Sequence, residues 1–265
     1  MIAITVFTFK LQAMKKMLFI IGMCIITLGL NAQDQKNLLE DQRVEPPKFK
    51  GEKIEREQVE IKKSPICCFI ENELEYPEFT NVDTPEGIVV IEFTINADGN
   101  LSNFKVTNPV DYHLEQAVIS CVKQTDGMWT PGKVNGQYSS MEKSVSVKFD
   151  VEGNPSFNEI SKGYYFSALR KFHNGQNTIE DNLLTIKKKE RKSERLFNSS
   201  LRSLDKATVY KPNDASVLFW KARNYEMLGM RTEMRETLKK RNALLSQQIN
   251  GKNTIDNYDL AIINK

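Results

Sequence analysis

Catalysis in a polypeptide rests mostly on histidines, reactive cysteines or grouped carboxylates, and this 265-residue sequence supplies them sparsely. Its two histidines, His113 and His173, fall in different units of the chain. A nucleophilic cysteine needs a base within hydrogen-bond reach and a third group to orient that base. Cys121 lies on the apolar stripe of a predicted helix, whereas His113 lies off it, near the helix start. There is no metal-ligand spacing and no glycine-rich loop between a strand and a helix to cradle phosphate. The carboxylates are plentiful but nowhere convincingly paired. These residues specify no enzyme and call for no cofactor or metal.

The start of the chain has the parts of a secretory leader. Lys15 and Lys16 precede the apolar run 17–30, and Asn31, Ala32 and Gln33 follow, which places cleavage after Ala32 and makes the mature protein an exported one. The run falls short of the roughly 20 apolar residues of a membrane span, so an inner-membrane anchor is the lesser alternative. Cys24 sits within this run in a poor context for acylation. Three cysteines, Cys67, Cys68 and Cys121, remain after residues 1–32 are removed. Cys67 and Cys121 are both expected to point inward, which leaves open a bridge between them and a pair of buried thiols.

The mature chain is formally neutral, yet its halves are not. Residues 33–155 carry 13 basic and 22 acidic side chains, and residues 156–265 carry 21 and 12. Such asymmetry suggests two halves that dock on each other, or a basic half that meets an anionic surface.

Residues 33–63 are polar and charged around Pro46-Pro47 and read as a tether. Ser64-Pro65 opens a helix with Ile66, Phe69 and Ile70 on one side. After Tyr76-Pro77, the run from Gly87 places Val89, Ile91, Phe93 and Ile95 on one face, with Glu92 and Thr94 on the other. Asp98-Gly99 marks a turn, and residues 101–107 return as a second strand. Asp111 caps a helix whose stripe is Leu114, Ala117, Val118, Cys121 and Val122. Trp129, Pro131-Gly132 and Asn135-Gly136 lead back to a last strand. There Val145, Val147, Phe149 and Val151 alternate with Ser144, Ser146, Lys148 and Asp150, giving one dry and one wet face. Residues 64–152 thus read as an α+β domain, a three-stranded antiparallel sheet covered on one side by two helices.

The ordered set Tyr76-Pro77, Gly87, Asp98-Gly99, Glu115-Gln116-Ala117, Trp129-Thr130-Pro131-Gly132, Asn135-Gly136 and 145–149 resembles the carboxy-terminal domain of TonB energy transducers, in the form found in Bacteroidetes. Pro47-Lys48-Phe49-Lys50-Gly51 is similar to the segment that commonly introduces that domain. The resemblance covers about a third of the chain. It implies a periplasmic module that binds the TonB-box peptide of an outer-membrane transporter by strand addition. In the family the last strand accepts the peptide, which maps here onto Ser144, Val145, Ser146, Val147, Lys148, Phe149, Asp150 and Val151. Complete transducers also carry an anchor that engages an inner-membrane proton-driven motor through a long spacer. Here the leader looks cleavable and the tether is short, so the resemblance carries over peptide binding more firmly than force transmission.

From residue 156 to 248 the pattern turns helical, and residues 249–265 read as a tail. Leu204, Ala207 and Pro212, then Leu218, Ala222, Tyr225 and Gly229, resemble the spacing of one tetratricopeptide repeat, where three or more make an independent array. Lys187, Lys188, Lys189, Arg191 and Lys192 form a basic run that reads as a solvated helix face. With export indicated and no interleaved aromatics, it does not read as a nucleic-acid site. The alternative to a peptide-binding module is an exported scaffold whose helical half binds a protein or envelope partner without transducing energy.

Overall fold

The computed structural model describes residues 43–50, 63–79, 84–249 and 260–265. The leader, Cys24 and residues 33–42 and 51–62 of the tether lie outside the described residues. The chain divides into two compact units, Met1–Pro46 with Gly132–Ser139, and Pro47–Pro131 with Ser140–Lys265.

The described part of the first unit is a small antiparallel sheet. Strands β1 (Val44–Glu45), β6 (Gly132–Val134) and β7 (Gln137–Ser139) lie in the order β1-β6-β7. Asn135 and Gly136 form the β6–β7 turn with φ of 53° and 81°, the two positive values that a type I′ hairpin requires. The Asn135 side chain accepts from the Arg43 N–H at 3.0 Å, and its own N–H donates to the Arg43 carbonyl at 2.9 Å.

The second unit holds strand β2 (Lys48–Phe49), helix α1 (Pro65–Glu73), strands β3 (Gly87–Ile95) and β4 (Leu101–Asn108), helix α2 (Tyr112–Lys123), strands β5 (Trp129–Thr130) and β8 (Met141–Asp150), helices α3 (Phe157–Glu180), α4 (Ile186–Tyr210), α5 (Ala215–Met227) and α6 (Arg231–Ile249), and strand β9 (Leu260–Asn264). Ser64 and Pro65 open α1, and Asp111 caps α2 by accepting from the His113 N–H at 2.9 Å. Gly99 closes the β3–β4 turn at φ 91°, where a Cβ would lie 3.0 Å from the Trp129 carbonyl oxygen, so both conformation and space demand glycine. One core joins α1, α2 and the inner faces of β3 and β8, with Val89, Phe93, Leu114, Val118, Val147 and Phe149 buried in it. Cys67 and Cys121 both belong to this core, and with Cys68 they are thiols rather than a bridge.

Three expectations need correction. The sheet has four strands, in the order β4-β3-β8-β9, because five residues of the expected tail form β9. The tether is not wholly without structure, because Phe49 packs 5.0 Å from Trp129 and 5.8 Å from Phe69 between ring centroids, and β2 pairs with β5. The second face of the sheet is wet only in part: Ser144 is exposed, but the other end is covered. Ile88 and Val90 are buried there with Phe157, against Tyr210 at the end of α4, and Ser146 is 7% exposed.

The helical half therefore docks on the sheet through an apolar patch. Asn108 fastens it by donating from Nδ2 to the carbonyls of Ile88 at 2.7 Å and Thr208 at 3.0 Å. The Lys148 ammonium lies 4.5 Å from the centre of the Phe157 ring and pairs with Asp150. Helices α3 and α4 approach closely through small residues. The Ser200 hydroxyl donates to the Ala168 carbonyl at 2.9 Å, and Ser161 to that of Ala207 at 3.1 Å. Ala168, Leu204, Ala207 and Val217 form their core, with Trp220 packed on it.

Candidate functional site

Strand β8 is built by strict alternation. Val145, Val147 and Phe149 are 2%, 0% and 0% exposed, which locks register, since a slip of one residue would turn the apolar set outward. Along one margin β8 pairs antiparallel with β3 from Met141 opposite Ile95 to Phe149 opposite Gly87. Along the other it pairs in parallel with β9, from Ser146 opposite Leu260 to Asp150 opposite Asn264.

The expected binding margin is thus divided. Ser146, Val147, Lys148, Phe149 and Asp150 are engaged by β9, Ser144 and Val145 lie on the stretch of β8 beyond it, and Val151 follows the strand. The strand itself begins three residues earlier than expected, at Met141.

The seat of β9 is made by β8 and α1. Ala261 is fully buried and Ile263 is 6% exposed, both in the main core, while Leu260 packs on the patch against the helical half. The Ile262 N–H donates to Glu71 Oε1 at 2.8 Å, and the same carboxylate oxygen pairs with Lys63. The Lys265 N–H donates to the Asp150 carbonyl at 3.0 Å, and its ammonium lies 5.7 Å from the centre of the Tyr76 ring.

The residues of the ordered motif hold this frame. The Tyr76 ring meets Phe149 edge-on at 5.4 Å, and its hydroxyl donates to the Pro85 carbonyl. Burial, with Glu86, Asp150 and Asp111 adding to it, pushes the phenol up to about 12, so it stays a donor. Pro77 follows α1, and Gly87 is the first residue of β3. Asp98 accepts from the Asn100 N–H at 2.9 Å beside Gly99. Trp129 is 2% exposed, and its Nε1–H donates to Thr125 Oγ1 at 3.0 Å. Pro131 lies between β5 and β6, Gly132 opens β6, and Asn135 and Gly136 turn it into β7.

The candidates for catalysis are not assembled. His113 is exposed with its ring 6.0 Å from that of Phe79, Cys121 is buried, and His173 hydrogen-bonds Gln176 on α3. Burial, and secondarily Glu73, pushes the Cys121 thiol up to about 11, the opposite of an activated nucleophile.

Residues 72–151 match the family model described as Gram-negative bacterial TonB protein C-terminal. The chain carries a TonB C-terminal domain, followed by a helical region. The match begins inside α1 and ends one residue beyond β8, so β9, Glu71 and all four later helices lie outside it. Proteins of this family are non-enzymatic transducers, and the domain implies a TonB-like role with outer-membrane transporters on the periplasmic side. No curated protein matches the chain. No helix among the described residues is long and apolar enough to cross a membrane.

Sequence reasoning missed β9, Glu71 and the Phe49–Trp129 contact. The short apolar run 260–263 after ten mostly polar residues was the available signal for the first.

Proposed function

We propose that the chain is a periplasmic TonB-like protein of the Bacteroidetes form that binds the TonB-box peptide of an outer-membrane transporter by strand addition along β8. One observation carries the reading: the outer margin of β8 already supports a parallel ladder with an extended segment, β9, so its backbone groups have the geometry to accept one. Main-chain hydrogen bonds at about 1 kcal/mol each, offset by the cost of ordering the guest, give weak to moderate affinity. Titration of a TonB-box peptide into the isotope-labelled protein tests this. Shifts at the amides of residues 141–150 are expected, and a saturating titration that leaves them unmoved rejects the site. Transduction is tested by the mature amino terminus. A retained leader goes with an anchored transducer that contacts the motor, and cleavage after Ala32 goes with a periplasmic binder.

A second reading, an exported scaffold that works through its helices, draws on the α3–α4 tip. Leu183 is 95% and Ile186 77% exposed there, and Arg191, Arg195 and Arg202 line a shallow depression farther along α4. Replacing Leu183 and Ile186 by glutamate separates the readings. Lost partner recruitment with intact peptide binding supports the scaffold, and unchanged recruitment removes it.

A further inference from the structure

Strand β9 sits where strand addition along β8 would place a guest. It runs parallel to β8 over five residue pairs, and its inward side chains alternate small and large, Ala261 then Ile263, in the core beneath α1. Between them the Ile262 N–H points to the opposite margin and is taken by Glu71, whose side chain is 13% exposed and also pairs with Lys63. Because β9 belongs to the same chain as β8, it competes for this margin at an effective concentration on the order of millimolar.

We propose that β9 is an intramolecular ligand of this margin, displaced by an external extended peptide of the same pattern, and that Glu71 positions whichever strand is seated. The proposal rests on the reading of β8 as the peptide-accepting strand. It assigns the guest a chemistry: an extended segment parallel to β8, with a small side chain opposite Val147, an aliphatic one opposite Phe149, and a free N–H between them for the Glu71 carboxylate. Ala261 is fully buried, so a larger group at its position would have to displace the core around it. Self-occupancy lowers the apparent affinity for a guest by the fraction of molecules in which the seat is empty.

The test uses the full chain and its Ile263→Asp variant, with the synthetic hexapeptide Leu-Ala-Ile-Ile-Asn-Lys as probe, followed by titration calorimetry. Aspartate in the core seat ejects β9, so the variant binds the hexapeptide at least about tenfold more tightly than the native chain does. A probe with phenylalanine in place of the alanine does not bind, and adding Glu71→Ala weakens the hexapeptide about tenfold through loss of a charge-assisted hydrogen bond. Ile262→Pro, which keeps both inward side chains and removes the N–H that Glu71 accepts, gives the same gain if aspartate disturbs folding. Equal binding by native and variant chains, or acceptance of the phenylalanine probe, overturns the proposal. TonB-box peptides form the separate arm. If they bind neither chain while the hexapeptide behaves as expected, displacement stands and the transporter reading falls. If they bind both chains equally, the transporter reading stands and displacement falls.

Discussion

Replacing Ile263 by alanine should free β9 without unfolding the sheet. Ile263 is 6% exposed and, with Ala261, is one of two side chains that anchor the strand in the main core. Full burial of an isoleucine is worth about 1.5–3 kcal/mol, and a site at a strand end can partly collapse on truncation, which sets the loss near 2 kcal/mol. That corresponds to roughly a 30-fold rise in the open fraction of β9. What remains is Ala261, the ladder to residues 146–150 and the Ile262–Glu71 hydrogen bond, set against an ordering cost of about 1–2 kcal/mol per residue. The strand then sits near balance while β3, flanked by β4 and β8, keeps its protection. Native-state hydrogen exchange read by mass spectrometry resolves the two, with the carboxy-terminal peptide expected to exchange roughly 30-fold faster and the β3 peptide unchanged. Equal acceleration of both would refute the reasoning, because β9 would then be a cooperative part of the core with no independent opening.

Other consequences follow from the same geometry. Cys68, half-buried on α1, should be alkylated in the native protein at pH 8, while Cys67 and Cys121 stay unlabelled until denaturant is added; thiol-specific labelling with mass detection reads this. Gly87→Ala would bring a Cβ within 2.7 Å of Val209 Cγ1 and 2.9 Å of Val110 Cγ1, so chemical denaturation should show a loss of about 1–3 kcal/mol as α4 is pushed from the sheet. Asp214 caps α5, accepting from the Ser216 N–H at 2.8 Å. Burial alone would raise its pKa, but the hydrogen bonds from Lys211, Ser216 and Val217 and the Lys211 charge together hold it below the usual value. A depressed carboxylate contributes stability above its unfolded pKa of about 3.9 and loses it as pH falls through the folded value. Asp214→Ala should therefore cost about 1 kcal/mol at pH 7, and the gap to the native chain should narrow in acid, as read by thermal melts across pH.

What the sequence made legible was local. Ser64-Pro65 and the Ile66–Ile70 spacing announce α1, Asp111 announces α2, Asp98-Gly99 announces a hairpin, and the alternation through Val145, Val147 and Phe149 announces β8. Each signal is complete within a few residues, so no partner had to be known. The second sheet face had a signal that the alternation of Glu92 and Thr94 obscured: Ile88, Val89, Val90 and Ile91 run without interruption, as strands buried on both faces do. Its cover, Phe157 and Tyr210, lies far along the chain. Strand β9 is harder still. Five residues carry too little pattern to prove a strand, and their pairing with residues 146–150 spans more than a hundred positions. Nothing local in the sequence singles out Glu71, because the Ile262 N–H is brought to it only by the seating of β9.

The edge of β8 is most directly probed by recording amide exchange across the whole protein with and without a saturating TonB-box peptide. The expected result is new protection at residues 141–145, maintained protection at 146–150 and faster exchange at 260–265 as the resident strand gives way. Protection gained elsewhere, with β8 and the carboxy terminus unchanged, would contradict strand addition at this margin.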